Sequence, residues 1–286
     1  MKMAQITSHA VCLTFDFDTI SLWLGPFKAT SPSMISRGEF GVIGAKRILD
    51  LLDHYNIKAT WFVPGHTADT YRDAVAEVSA RGHEIGHHGY CHENPVLLDE
   101  DTERHIIEKG IAAIERIVGE RPIGYRSPSW DLSANTIRLL LEYDFVYDSS
   151  MMGNDFQPYW CRVGDSFDLE SPFQFGEPVD LVEMPVTWGL DDLPAFEYIS
   201  LPQKLYPGLR NPDDVFAIWM GDFDYMRQHV PGGVYTVTMH PQVIGRGHRM
   251  MFLDRIIKYM AVDDVRFVTM REYVNEWKGA IREGLR

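Results

Sequence analysis

Short apolar, β-rich runs alternate with helical stripes along almost the whole chain. That alternation confines the fold to parallel βαβ units with right-handed crossovers. Residues 10–17 (AVCLTFDF) read as a buried strand, and residues 40–55 carry apolar side chains at Val42, Ile43, Ile48, Leu49 and Leu52, a helical stripe. Residues 58–63 and 84–88 are further strands, separated by a helix over 67–81. Acids open a helix at 99–118 that Gly119 closes, and Asn211-Pro212-Asp213-Asp214 starts another with an Asn cap, Pro in its first turn and acids behind it. Strands at 122–126, 145–148, 180–186, 233–239 and 265–268 complete the series. So many units in one 286-residue chain predict a distorted (β/α) barrel of about seven parallel strands as a single catalytic domain, 1–286. Residues 151–179 and 189–210 break the rhythm. Rich in Gly, Pro and aromatics, they predict long inserted loops covering the carboxyl-terminal mouth.

The formal net charge of −14 excludes a nucleic-acid backbone as partner, because phosphate binding needs clustered Lys and Arg. No apolar run approaches a membrane span, and residues 1–9 carry neither an apolar leader core nor a small-residue cleavage site. Cys12, Cys91 and Cys161 are too few for a disulfide framework, so the expectation is a cytoplasmic protein.

In a parallel barrel every strand ends at one mouth, where active sites are built. TFDFD (14–18) puts Asp16 and Asp18 where the first strand runs out, and their spacing of two sends both carboxylates to one side of an extended chain. His88, Arg126, Asp148 and His240 end other strands, a concentration that packing alone does not explain. In HGYCH (88–92), His88 and His92 meet on one face if the segment turns helically, presenting two imidazoles to one ion. A carboxylate from elsewhere then completes a three-ligand set with room for water. This is not the zinc-protease HExxH pattern, since Gly89 stands where the Glu base would be. His66 follows a strand at Pro64-Gly65 and is a candidate to line the mouth, whereas His54, His105 and His229 read as surface groups.

These motifs resemble, in order, those of the polysaccharide deacetylase family, named for its NodB-homology domain. The resemblance of TFDFD implies Asp16 as general base and Asp18 as metal ligand; that of HGYCH implies His88 and His92 as ligands. Arg126-Ser-Pro-Ser-Trp130 is similar to the family's Arg-x-Pro-aromatic motif, whose Arg holds the catalytic Asp and whose aromatic, here Trp130, borders the substrate. Val237-Thr-Met-His240 implies His240 as general acid. Trp188-Gly-Leu-Asp191-Asp192 is similar to the part that orients that acid, implying Asp191 in the role with Asp148 as runner-up, and Trp188 and Asp148 near the substrate. Gly89 and Cys91 depart from the usual Thr and Ser, and Phe17 separates acids that adjoin in secreted members.

TFDFD, Tyr147-Asp-Ser-Ser-Met and His240-Pro-Gln-Val-Ile-Gly-Arg246 look closest to an intracellular branch with allantoinase-like and cyclic-imide hydrolases and peptidoglycan-deacetylase-like proteins. That resemblance implies a divalent metal, Zn²⁺ by its donors, and a homo-oligomer. The aromatic insertions favour a covered pocket, hence a small cyclic amide or imide as substrate; the alternative is an N-acetyl sugar or peptidoglycan fragment. Two other classes share features of the pattern. Two His and one carboxylate also describe non-haem Fe(II) oxygenases, but those need neither Asp16 nor His240 and use a β-rich scaffold. A non-catalytic binding protein would not need the full acid, base and ligand set.

Overall fold

A computed structural model describes residues 8–201 and 204–284. Most of the amino-terminal stretch read for a leader, residues 1–7, lies outside them. The strands are β1 (His9–Asp16), β2 (Thr60–Val63), β3 (Glu84–His87), β4 (Gly124–Tyr125), β5 (Tyr147–Asp148), β6 (Tyr159–Val163), β7 (Glu177–Glu183), β8 (Ile199–Leu201), β9 (Lys204–Tyr206), β10 (Val234–Met239) and β11 (Val265–Phe267). One curled sheet runs β10-β1-β2-β3-β4-β5-β7-β6, with β11 also paired to β1, and forms a half-barrel. All its pairs are parallel except β6 with β7, which makes an antiparallel edge. The expected barrel is therefore present but not closed by strands. An isolated parallel bridge from Asp191 to Thr238 links the segment beyond β7 to β10.

Local chemistry explains the element boundaries. Asp99 Oδ1 accepts from the Thr102 amide at 2.8 Å to start the helix Glu100–Val118, and Gly119 ends it at φ 77°. Asn211 Oδ1 caps Pro212–His229 in the same way, accepting from Asp213 N. The first helical stripe begins earlier than expected, at Pro32, because Ser31-Pro32 supplies a start that the polar first turns conceal from periodicity. The helix expected over 67–81 is two, Gly65–Thr70 and Arg72–Ala80, broken at Tyr71.

Phe15 stacks on Trp61 (4.7 Å between centroids) with Phe17 edge-on at 5.6 Å, so the strands that carry the site are anchored in buried aromatic packing. The helix Pro32–His54 crosses the short helix Pro241–Ile244 in backbone contact. A Cβ on Gly44 would lie 2.0 Å from the Pro241 carbonyl oxygen, so only glycine permits the approach. Among the described residues no helix is long and apolar enough to cross a membrane.

Candidate active site

The ends of β1, β3, β4 and β10 deliver the polar groups to one mouth. HGYCH does not turn helically. Gly89 (φ 68°) and His92 (φ 59°) reverse the chain, and Glu93 Oε2 closes the turn by accepting from the Tyr90 and Cys91 amides at 3.1 and 2.7 Å. The result still brings the imidazoles together, with ring centroids 5.0 Å apart and planes at 87°. Sequence reasoning missed Glu93, although an acid directly after a Gly-containing turn is a legible closing signal.

Asp18, His88 and His92 offer ligand atoms within 4.8 Å of one another. His88 Nδ1 lies 2.7 Å from the Arg126 carbonyl oxygen, an acceptor only, so Nδ1 carries the proton and Nε2 presents a lone pair. That Nε2 is 3.5 Å from Asp18 Oδ1, and His92 Nε2 is 3.7 Å from Asp18 Oδ2. Both Asp18 oxygens and His88 Nε2 are buried without a hydrogen-bond partner. Burial pushes the Asp18 carboxyl well above its usual range and the two imidazoles below theirs. Acceptors facing acceptors in a buried pocket fit a cation among them. Metal–ligand bonds of ~2 Å place neighbouring tetrahedral ligands roughly 3.3–3.5 Å apart, close to the spacing found.

Asp16 and His240 flank this set. Arg126, wholly buried, donates from Nη1 to Asp16 Oδ1 and to Thr14 Oγ1, each at 2.8 Å, and from Nε and Nη2 to Ser149. Burial raises the Asp16 carboxyl, but Arg126 foremost, with His88 and His240, outweighs it and leaves the group below its ordinary value. Asp16 Oδ2, the oxygen Arg126 does not take, lies 4.0 Å from His240 Nε2. Burial opposes charge on His240, but Asp191 and Asp192 override it and hold the imidazole well above its usual range.

The expected orienting residue is displaced by one. Asp192 Oδ1 accepts from His240 Nδ1 at 2.7 Å and from the His240 amide at 3.0 Å. Asp191 is 3.6 Å from Nδ1, and its Oδ1 instead caps the next helix by accepting from Leu193 N. The runner-up Asp148 is buried elsewhere. It accepts from Ser150 Oγ at 2.7 Å beside Glu183, and burial lifts its carboxyl to about 6. Asp148 does not line the mouth, and neither does His66, whose Nδ1 sits 3.1 Å from Ser21 Oγ behind Tyr90.

Trp130 and Trp188 do line the cavity of about 470 Å³, stacked on each other at 4.4 Å. Ser129 (φ 60°) and Trp130 (φ 50°) are successive left-handed residues, a strained bend of the sort that collects at sites. Leu193, Pro194 and Tyr206 complete the wall from the second insertion. The first insertion contributes no side chain to the lining of this cavity: its chain pairs as β6 and the start of β7, and its aromatics Phe167 and Phe175 lie exposed on the hairpin. A further part of the lining, Leu22, Pro26 and Phe27, with Phe27 edge-on to Tyr206, was missed in the sequence, where the apolar run behind Asp18 was its signal.

A carboxylate and an imidazole set across a cation-ready triad, at the mouth of a parallel half-barrel, are the equipment of a hydrolase of carbon–nitrogen amide bonds. The chain belongs to the polysaccharide deacetylase family, carbohydrate esterase 4. The family profile matches residues 7–147. A peptidoglycan deacetylase of Helicobacter pylori is 36% identical over 92% of this chain and 94% of its own. A solved protein of Mycobacterium smegmatis, assigned to the polysaccharide deacetylases, superposes with a TM-score of 0.85 at 35% identity, covering 98% of this chain and 93% of that one. The PuuE allantoinase structure has a TM-score of 0.76 at 24% identity over 98% and 92% of the two chains, a likeness of fold.

Proposed function

We propose that the chain is a metal-dependent N-deacetylase of N-acetylated amino sugars of the peptidoglycan type. The placement of Asp16 and His240, each within 4.0 Å of a member of the Asp18, His88 and His92 set and of the other, carries the reading. The near full-length likeness to a peptidoglycan deacetylase supports an acetamido sugar over the cyclic amide expected from the sequence. The likeness to an allantoinase, at 24% identity, supports a ring amide less.

Asp18, His88 and His92 would hold the ion, Zn²⁺ by donor set. Bound there, such an ion would supply Lewis acidity to the amide carbonyl and to water. Asp16, kept ionised by Arg126, takes a proton at Oδ2 as water attacks the acetyl carbon. His240, cationic and turned by Asp192, donates from Nε2 to the sugar nitrogen, which leaves as an amine while the acetyl group departs as acetate. The Trp130–Trp188 stack gives a flat apolar face against which a sugar ring can lie.

The test is a panel with Zn²⁺-loaded protein: N-acetylglucosamine oligomers and peptidoglycan fragments read by acetate release, cyclic imides and hydantoins by ring opening. Acetate release that is abolished by chelation and restored by Zn²⁺ is expected. Ring opening without acetate release would replace the sugar by the cyclic amide. Turnover coupled to O₂ uptake would point to an oxygenase, and binding without turnover to a ligand-binding protein. The homo-oligomer is tested by sedimentation and the cytoplasmic location by cell fractionation.

A further inference from the structure

In a chain of net charge −14, four arginines gather beside the rim. Arg246 lies 3.6 Å over the Phe40 ring and Arg47 5.4 Å from the same ring centroid, so two like charges share one aromatic ring. Arg47 also donates to the Gly245 carbonyl at 3.0 Å. Arg249 donates to the carbonyls of Val243 and Phe196, and Arg37 to that of Tyr198. Among the described residues, Glu197 is the carboxylate that pairs within the cluster, with Arg37 and, at 3.5 Å, with Arg249; Arg47 and Arg246 have none. Burial, and then their arginine neighbours, pull the Arg37 and Arg246 guanidiniums below their ordinary value.

Two independent features accompany this excess of positive charge. Arg249 is only 7% exposed, and its Nε–H is a buried donor without a partner. Arg246 is also the N-cap of the helix Gly247–Met260, whose first turn has no side-chain cap and no acidic residue. The amides of that turn have no intrahelical acceptor, and the space beside Gly247 is open. Guanidiniums and a bare helix start converge on what an oxyanion requires.

We propose that Arg47, Arg246 and Arg249, with the first turn of Gly247–Met260, form a binding site for an oxyanion, the phosphate or carboxylate group of a small ligand. The site is separate from the metal triad: none of the four arginines lines the catalytic cavity. It borders the reaction through Arg249, whose charge favours the ionised form of Asp192.

Calorimetric titration of the intact protein with inorganic phosphate, and separately with citrate, at fixed ionic strength tests this. Saturable binding of phosphate is expected for a phosphoryl ligand, and of citrate alone for a carboxylate. The double variant Arg47→Gln, Arg246→Gln should weaken it by at least about tenfold while keeping the wild-type melting temperature. Arg246→Lys, which keeps charge but loses the planar fork, should fall between. Absence of saturable heat with both probes, or undiminished binding by the double variant, overturns the proposal. So does a wild-type dimer that Arg246→Glu dissociates while neither probe binds, which would make the cluster a subunit contact. Because the readout is binding, its failure leaves the deacetylase reading standing.

Discussion

Asp16 and Asp18 stand two residues apart at one strand end and meet opposite electrostatic fates. Arg126 holds the first below its usual value, whereas the second is buried without a hydrogen-bond partner. Asp16→Asn should therefore lower kcat by at least about a hundredfold while elemental analysis still finds the ion; retained turnover would remove the base assignment. On the other side, His240 must be protonated to act, so its pKa sets the alkaline limb of the kcat profile. Asp191→Asn and Asp192→Asn both remove a charge that raises it, so each should move that limb to lower pH. Only Asp192→Asn also removes the carboxylate bonded to Nδ1, and it should cost more in kcat at the pH optimum. Equal losses in the two variants would deny Asp192 its orienting part. The sequence could not separate these neighbours, because which of two adjacent acids faces inward depends on which one caps the helix behind them.

The helix Pro32–His54 fixes the acid's position from outside the mouth, through its backbone contact with Pro241. Gly44→Ala should push that contact apart, shifting His240 by way of Pro241. The expected result is a loss of about 1–3 kcal/mol in unfolding free energy and a lower kcat, with metal content unchanged. A variant matching the wild type in melting and rate would show that the contact has slack. Strand ends and capped helices were legible here because period and cap chemistry are local. The insertions were half legible. Aromatic, glycine-rich composition is shared by a loop over a pocket and by an exposed edge hairpin, and only pairing of β6 with β7 tells them apart.

Across the whole molecule, burial keeps several imidazoles neutral, among them His83 and His87, lowered to about 4 and about 3. The unfolded chain regains an ordinary imidazole near 6.5 and binds the proton the fold refuses. The stabilisation is thus complete above about pH 6.5 and is lost as pH falls toward 4 and then 3. Urea midpoints should drop between pH 7 and 5 in the wild type and drop less in His83→Gln, whose amide can still accept from the Ala59 amide. An unchanged pH dependence would contradict a neutral His83. The alternation read from sequence foretold a parallel barrel, but not that its strands would stop short of a ring, since closure depends on sheet curl and not on any local motif. That gap has a mechanical meaning. The two arms of the horseshoe meet through an isolated backbone bridge, Asp191 to Thr238, and through the bonds of Asp192 to His240 and of Val234 N to the Phe156 carbonyl. That seam carries fewer ladder bonds than β1 against β2, while Leu190 and Phe196 anchor 187–198 in the core, so its backbone opens by local fluctuation. Deuterium should enter there well before it reaches β1, and a tight ligand spanning Trp188 and Trp130 should slow its entry by lashing the arms together.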